Sequence, residues 1–113
     1  MSEQSKDLKP RTKAFALRII RMYSKLPKIN TVAQVLGKQV LRSGTSVGAN
    51  YREASRGRSK AEFISKIGDC LKEIEETEYW LELLVGLWLR FGSQDGRPAR
   101  RNAPTHRDLY DDR

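Results

Sequence analysis

The chain holds one cysteine, one histidine and four prolines in 113 residues. A single thiol, Cys70, excludes an internal disulfide framework and a four-cysteine zinc site. One histidine beside it leaves few soft ligands for a transition metal, so no metal or cofactor is expected. Long apolar runs are missing too. The longest, residues 79–91, contains Glu82 and Arg90 and is too short to span a bilayer. Residues 1–9 are polar and lead into no apolar stretch of the secretory-signal kind. A cytoplasmic chain of about one domain, with no membrane partner, is the expectation.

Acidic charge is scarce in the first half. Residues 1–60 hold 14 Lys/Arg and 3 Asp/Glu, residues 61–91 hold 3 and 7, and residues 92–113 hold 5 and 4. The net +8 is therefore a basic half followed by an acidic segment. Two consequences are open. The basic surface attracts a polyanion, or the two halves pair with each other, within a chain or between chains.

Helical periodicity accounts for most of the first 91 residues. Phe15, Ile19, Met22 and Leu26 recur at spacings of 4, 3 and 4, which predicts a helix over residues 14–26 with Leu17 and Ile20 widening its stripe. Pro10 suits a first turn and Pro27 stops the helix. Thr31 and Gln34 have the spacing of a capping box, and so do Ser59 and Glu62. Between them Val32, Val35, Leu36, Val40, Ser43, Val47, Asn50 and Ala54 keep a three-and-four step, with Gly57 as a left-handed stop. From Lys60 to Phe91 there is no proline. Phe63, Ile67, Cys70, Leu71, Ile74, Thr77, Leu81, Leu84, Trp88 and Phe91 form one seam there, on a rod of about 48 Å. A rod that long outruns the first helix and calls for a further partner. Residues 92–113 hold two prolines, five arginines and few apolar residues, which predicts a polar, flexible tail with a short helix at most over 105–112.

The stretch S-G-T-S-V-G-A-N-Y-R-E-A-S-R-G-R-S, residues 43–59, looks at first like a phosphate loop. It lacks the G-x-x-x-x-G-K-[ST] spacing, the lysine and the preceding strand. Small residues on a packed helix fit better: Gly37, Gly44 and Gly48 mark where another helix comes close. Ser43, Ser46, Asn50 and Glu53 step along one side of this helix, and Asp69, Glu73, Glu76, Thr77 and Trp80 do so on the next. These stripes either interlock as a register-fixing polar network or line a cleft around Asn50, Glu53 and Glu73. Glu53 and Glu73 could form a carboxylate pair. No base or nucleophile stands in register with them, and the one histidine, His106, lies in the tail, so no catalysis is expected. Cys70, inside the apolar seam, reads as a small core residue.

Arg52, Arg56, Arg58 and Lys60 crowd the second turn, while Arg11, Lys13, Arg18 and Arg21 line the first helix. Cations at a helix C-terminus are ordinary, but this number exceeds what capping requires. These eight are the candidate phosphate contacts, which would be salt-sensitive and indifferent to base sequence.

The run L-R-S-G-T-S-V-G-A-N-Y-R-E-A, followed by R-S-K-A-E-F-I-S-K-I and L-K-E-I-E-E-T-E-Y-W-L-E-L-L, closely resembles a bacterial family of four-helix-bundle proteins. Its founding members are encoded by intervening sequences within 23S ribosomal RNA genes. The resemblance covers about residues 7–91, through Arg42, Ser43, Ser46, Asn50, Glu53, Ala54, Ser59, Phe63, Lys72, Glu73, Glu76, Thr77, Trp80 and Leu81. It implies an all-α, up-and-down antiparallel bundle that assembles as a ring, typically a homopentamer. Distantly similar bundles are basic accessory factors that bind a reverse transcriptase and nucleic acid. The chain departs from the family in one respect: a polar tail stands where an apolar fourth helix is usual. Three long helices, with a fourth short or missing, are expected, and apolar surface would then be left on helices one and three. The expected function is a non-enzymatic, ring-forming oligomer that contacts RNA or DNA, the alternative being a protein-interaction scaffold that binds no nucleic acid.

Overall fold

In the computed structural model, residues 7–91 are described, and they form three helices: α1 (Lys9–Ser24), α2 (Thr31–Ser55) and α3 (Lys60–Phe91). The expected tail of residues 92–113, its short helix and His106 lie outside the described residues. The fold is all-α, an up-and-down antiparallel bundle in which α2 is the middle rod and packs along both α1 and α3. Contacts along α2 give the directions. Thr12, Ile19 and Tyr23 of α1 lie against Gly48, Gly44 and Gly37 in that order. On its other side, Val47 and Ser43 meet Cys70 and Thr77 of α3.

The sequence explains the helix ends, with several differences from the expectation. α1 begins earlier, at Lys9, because Pro10 fits the first turn, where its missing N–H goes unused. Asn30, rather than Thr31, caps α2: its Oδ1 accepts the Ala33 N–H at 3.0 Å. Gln34 does not close a capping box. It accepts the Tyr23 hydroxyl at 3.0 Å and donates to the Pro27 carbonyl at 3.1 Å, tying α2 back to the end of α1. The α3 box does form, as Ser59 Oγ accepts the Glu62 N–H at 3.1 Å. Its reciprocal bond falls one residue upstream, with Glu62 Oε1 accepting the Arg58 N–H at 2.7 Å. Gly57 is not left-handed. It is tight for a different reason: a Cβ there would lie 3.2 Å from the Ala54 carbonyl oxygen and 3.3 Å from the Phe63 nitrogen.

The three glycines on the α1 side of α2 act as expected. A Cβ on Gly44 would sit 2.9 Å from Ile19 Cγ1, one on Gly48 3.2 Å from Thr12 Oγ1, and one on Gly37 would collide with Leu26 and Tyr23. The core that this close crossing permits joins Ile19, Ala33, Val40, Leu81 and Leu84, flanked by Phe15, Met22, Leu26, Leu36, Leu41, Trp80 and Leu87.

The molecule is a slab of 52 × 25 × 17 Å whose radius of gyration, 16.3 Å, exceeds the roughly 13 Å of a compact 100-residue domain. A 32-residue helix sets that length. So thin a slab cannot hide every apolar residue. Leu17 and Ile20 on α1, and Phe63, Ile64, Leu71, Ile74, Tyr79 and Leu89 on α3, are exposed. Apolar surface is thus left on helices one and three, and on α2 as well, at Val32 and Val35.

Candidate functional site

Two polar constellations arise from this packing. The first is the seam between α2 and α3. At its centre the Ser43 and Thr77 hydroxyls lie 2.7 Å apart and both residues are buried. Arg42 reaches across to Glu76 at 2.7 Å and Glu73 at 3.5 Å. The Glu76 hydrogen bond is the main reason that the Arg42 pKa is raised. Further along, Lys66 Nζ lies 2.7 Å from Glu53 and 3.8 Å from Asp69. That bond to Lys66 holds the Glu53 carboxyl below its ordinary range and lifts Lys66 above its own.

The packing brings some members of the two stripes together and leaves others out. Arg42, Ser43, Glu53, Glu73, Glu76 and Thr77 take part. Ser46 turns back to the Arg42 carbonyl of its own helix. Asn50 is half-buried and joins none of these bonds, and the Trp80 indole N–H is buried without an acceptor. Lys66 is the member that sequence inspection missed. The signal was its placement three residues before Asp69, on the side of α3 that continues the acidic stripe. Glu53 and Glu73 do not face one another: their partners Lys66 and Arg42 hold them about two turns apart along the seam. Cys70 is buried and its thiol donates to the Val47 carbonyl at 3.5 Å. Burial pushes that thiol up.

The second constellation is one end of the bundle. The Leu8 N–H donates to the Tyr51 hydroxyl at 3.2 Å, and Thr12 packs at Gly48. These contacts bring the start of α1 beside the end of α2, and the short turn after α2 places the start of α3 there too. Six of the eight candidate cations consequently share one pole: Arg11 and Lys13 from α1, Arg52 from the last turn of α2, Arg56 and Arg58 from the turn, and Lys60 from α3. All six are exposed. Among the described residues none of them makes an ion pair within 4 Å. The nearby acids are bonded elsewhere, Asp7 to the Lys9 N–H, Glu62 to the Arg58 N–H and Glu53 to Lys66, with Arg56 adding a weaker attraction to Glu53. Arg18 and Arg21 lie further along α1, and Arg18 is half-buried with one guanidinium nitrogen shut off from water.

Chemically, the seam is made of groups already satisfied by each other, which suits fixing helix register. The pole is a surplus of donors and positive charge, which suits anionic oxygens. Among the described residues no cluster of three His, Cys, Asp or Glu could hold a metal ion, and no helix is long and apolar enough to cross a membrane.

No protein of curated function matches the chain. Among solved structures it is similar to a protein of unknown function from the S23 ribosomal protein family of Bacteroides thetaiotaomicron VPI-5482. The two are 49% identical with a TM-score of 0.65, over 71% of this chain and 73% of the other. The sequence pattern of one family runs through residues 6–89, which takes in all three helices but the last two residues of α3, the polar seam and the basic pole. The chain therefore belongs to the 23S rRNA-intervening sequence protein family.

Proposed function

We propose that this protein is a non-catalytic, self-associating helical module whose basic pole binds nucleic-acid phosphates without regard to base sequence. The observation that carries the proposal is the convergence of Arg11, Lys13, Arg52, Arg56, Arg58 and Lys60 on one end, unpaired among the described residues. Unneutralised cations gathered on one surface gain most from releasing the counterions of a polyanion. The acids that could serve a reaction, Glu53 and Glu73, are held apart by separate cations, which supports a non-enzymatic reading. The exposed leucines and isoleucines of α1 and α3 support self-association. The subunits close into a ring, a pentamer by the resemblance, and a ring offers several poles to one RNA or DNA strand. A reverse transcriptase is the enzyme class to test for a partner.

Titrating a short mixed-sequence single-stranded RNA at several salt concentrations tests the pole. Affinity should fall steeply with salt, each lost phosphate contact lowering the log–log slope by about 0.7. Arg56→Glu together with Arg58→Glu should abolish measurable binding at moderate salt. Binding no tighter than that of an unrelated protein of equal charge would overturn the nucleic-acid reading. The scaffold alternative would then stand, supported by the contrast between basic α1 and acidic α3.

A further inference from the structure

The exposed face of α3 has an order to it. At 100° per residue, Ile64, Leu71, Glu75, Glu78, Glu82 and Leu89 fall on one stripe, and all six are exposed. Ile74 borders the stripe and is 43% exposed. Read from its N-terminal side, the middle of this stripe is apolar and then acidic. The three glutamates make no ion pair among the described residues, unlike Glu73 and Glu76 around the side of the same helix.

The outward face of α1 is its counterpart. Lys9, Lys13, Leu17 and Ile20 recur at spacings of 4, 4 and 3 and are exposed, Leu17 at 46% and Ile20 at 41%. α1 contains no carboxylate at all. Read in chain order this stripe is basic and then apolar.

We propose that these two faces are the two halves of a head-to-tail contact, with α1 of one copy lying antiparallel on α3 of a second copy. The contact rests on the reading that the chain self-associates and assigns it a surface and a register. Lys9 to Ile20 and Leu71 to Glu82 each span eleven steps. Antiparallel placement therefore sets Ile20 on Leu71, Leu17 on Ile74, Lys13 on Glu78 and Lys9 on Glu82 together, so in the assembled form Lys13 serves this contact and the phosphate-binding pole is Arg11, Arg52, Arg56, Arg58 and Lys60. A parallel placement that matches the apolar pairs carries Lys13 past Leu71 toward the apolar start of the stripe, away from the glutamates. Over the same eleven-residue span, self-pairing is disfavoured by charge. Antiparallel pairing of the α3 stripe with itself puts Glu75 on Glu78 and Leu71 on Glu82, and pairing α1 with itself opposes lysines and arginines. Because the two faces differ, the contact is heterologous, and it closes into a ring or grows as a chain according to the rotation between copies.

Light scattering on the full chain tests this with two variants at exposed positions, Leu17→Asp and Leu71→Arg. The wild type should be oligomeric, each variant alone monomeric, and an equimolar mixture associated again in a 1:1 ratio, since each variant keeps one intact face. Charge reversal checks the register: Lys13→Glu alone should weaken association about fivefold, and Glu78→Lys in the same chain should restore it. These exposed residues also keep the test valid if Leu71→Arg loses helicity by circular dichroism. A wild type that stays monomeric at every concentration would overturn self-association itself. An oligomer dissociated by Leu71→Arg but not by Leu17→Asp would show α3 pairing with itself and overturn the assigned faces alone. So would variants that fail to complement, or an oligomer that neither variant dissociates.

Discussion

The hydroxyls of Ser43 and Thr77 lie 2.7 Å apart, buried between two helices. Each carries one proton. Each also has a carbonyl of its own helix in reach, Ser43 that of Gln39 at 2.9 Å and Thr77 that of Glu73 at 2.7 Å, so one hydroxyl donates to its own helix and the other donates across the interface. A one-residue slip of α3 would move Thr77 off this site and bury both hydroxyls without each other. The pair thus sets register more than it adds stability.

Removing one side should therefore cost more than half of removing both. Thr77→Val should lower stability by about 1 kcal/mol, and Ser43→Ala by a similar amount. The double variant should lose clearly less than the sum, because no lone hydroxyl then remains opposite an apolar group. Urea denaturation midpoints at constant slope would measure the cycle, and strict additivity would contradict the coupling.

Glycine-to-alanine changes should split by site. On Gly44 the new methyl meets Ile19 Cγ1 at 2.9 Å, and a β-branched side chain has little freedom to step aside. The expected overpacking loss, about 1–3 kcal/mol, outweighs a helix-propensity gain of about 1 kcal/mol. On Gly68 and Gly86 nothing lies within 4 Å of the new carbon. There the same change should stabilise by about 0.5–1 kcal/mol each. Thermal melting would show a lower Tm for Gly44→Ala and higher ones for the other two.

The start of α2 offers a contrast between neighbours. Asn30→Ala removes the acceptor of the Ala33 N–H and should cost about 1 kcal/mol. Thr31→Ala changes the first helical residue, whose side chain makes no cap bond, and should stay within about 0.5 kcal/mol. A larger loss at Thr31 than at Asn30 would place the cap one residue later.

The Glu53–Lys66 bridge predicts a pH window. Glu53 titrates lower in the folded chain than in the unfolded one, chiefly through its bond to Lys66. Its contribution is complete above the unfolded value, about 4.3, and is lost as pH falls through the folded value. Lys66 is shifted up, so its share is complete below about 10.4 and is lost as pH rises through the raised value. Glu53→Gln should flatten the acid limb of a Tm–pH profile and change Tm little at pH 7, because both side chains are 40–49% exposed. An unchanged acid limb would remove the bridge from the account.

Part of the site was legible in the sequence and part was not, and particular residues show why. Val40, Val47, Ala54, Thr77, Leu81 and Leu84 are all buried as their spacing requires. Phe63, Leu71 and Ile74 fitted the same seam on paper but are exposed. A seven-residue pattern drifts around a helix of 3.6 residues per turn, so over 32 residues one stripe splits into a core edge and an outer edge. Asn30 and Thr31 are both good caps, and only the backbone turn after Pro27 chooses between them. Trp80 was placed in the polar network by spacing, yet its indole nitrogen finds no acceptor, because spacing gives a face and not an orientation.

By itself the sequence determined the three helices of the described residues, their stops to within about two residues, which face of α2 admits a close neighbour, and the separation of charge between the halves. These are local properties, set by proline, caps, side-chain size and periodicity within a few residues. Only the tertiary structure decided which cations meet at one pole, which carboxylates are neutralised, and which apolar residues stay in water. Those depend on pairing residues tens of positions apart, and one rod crossing another settles them all at once.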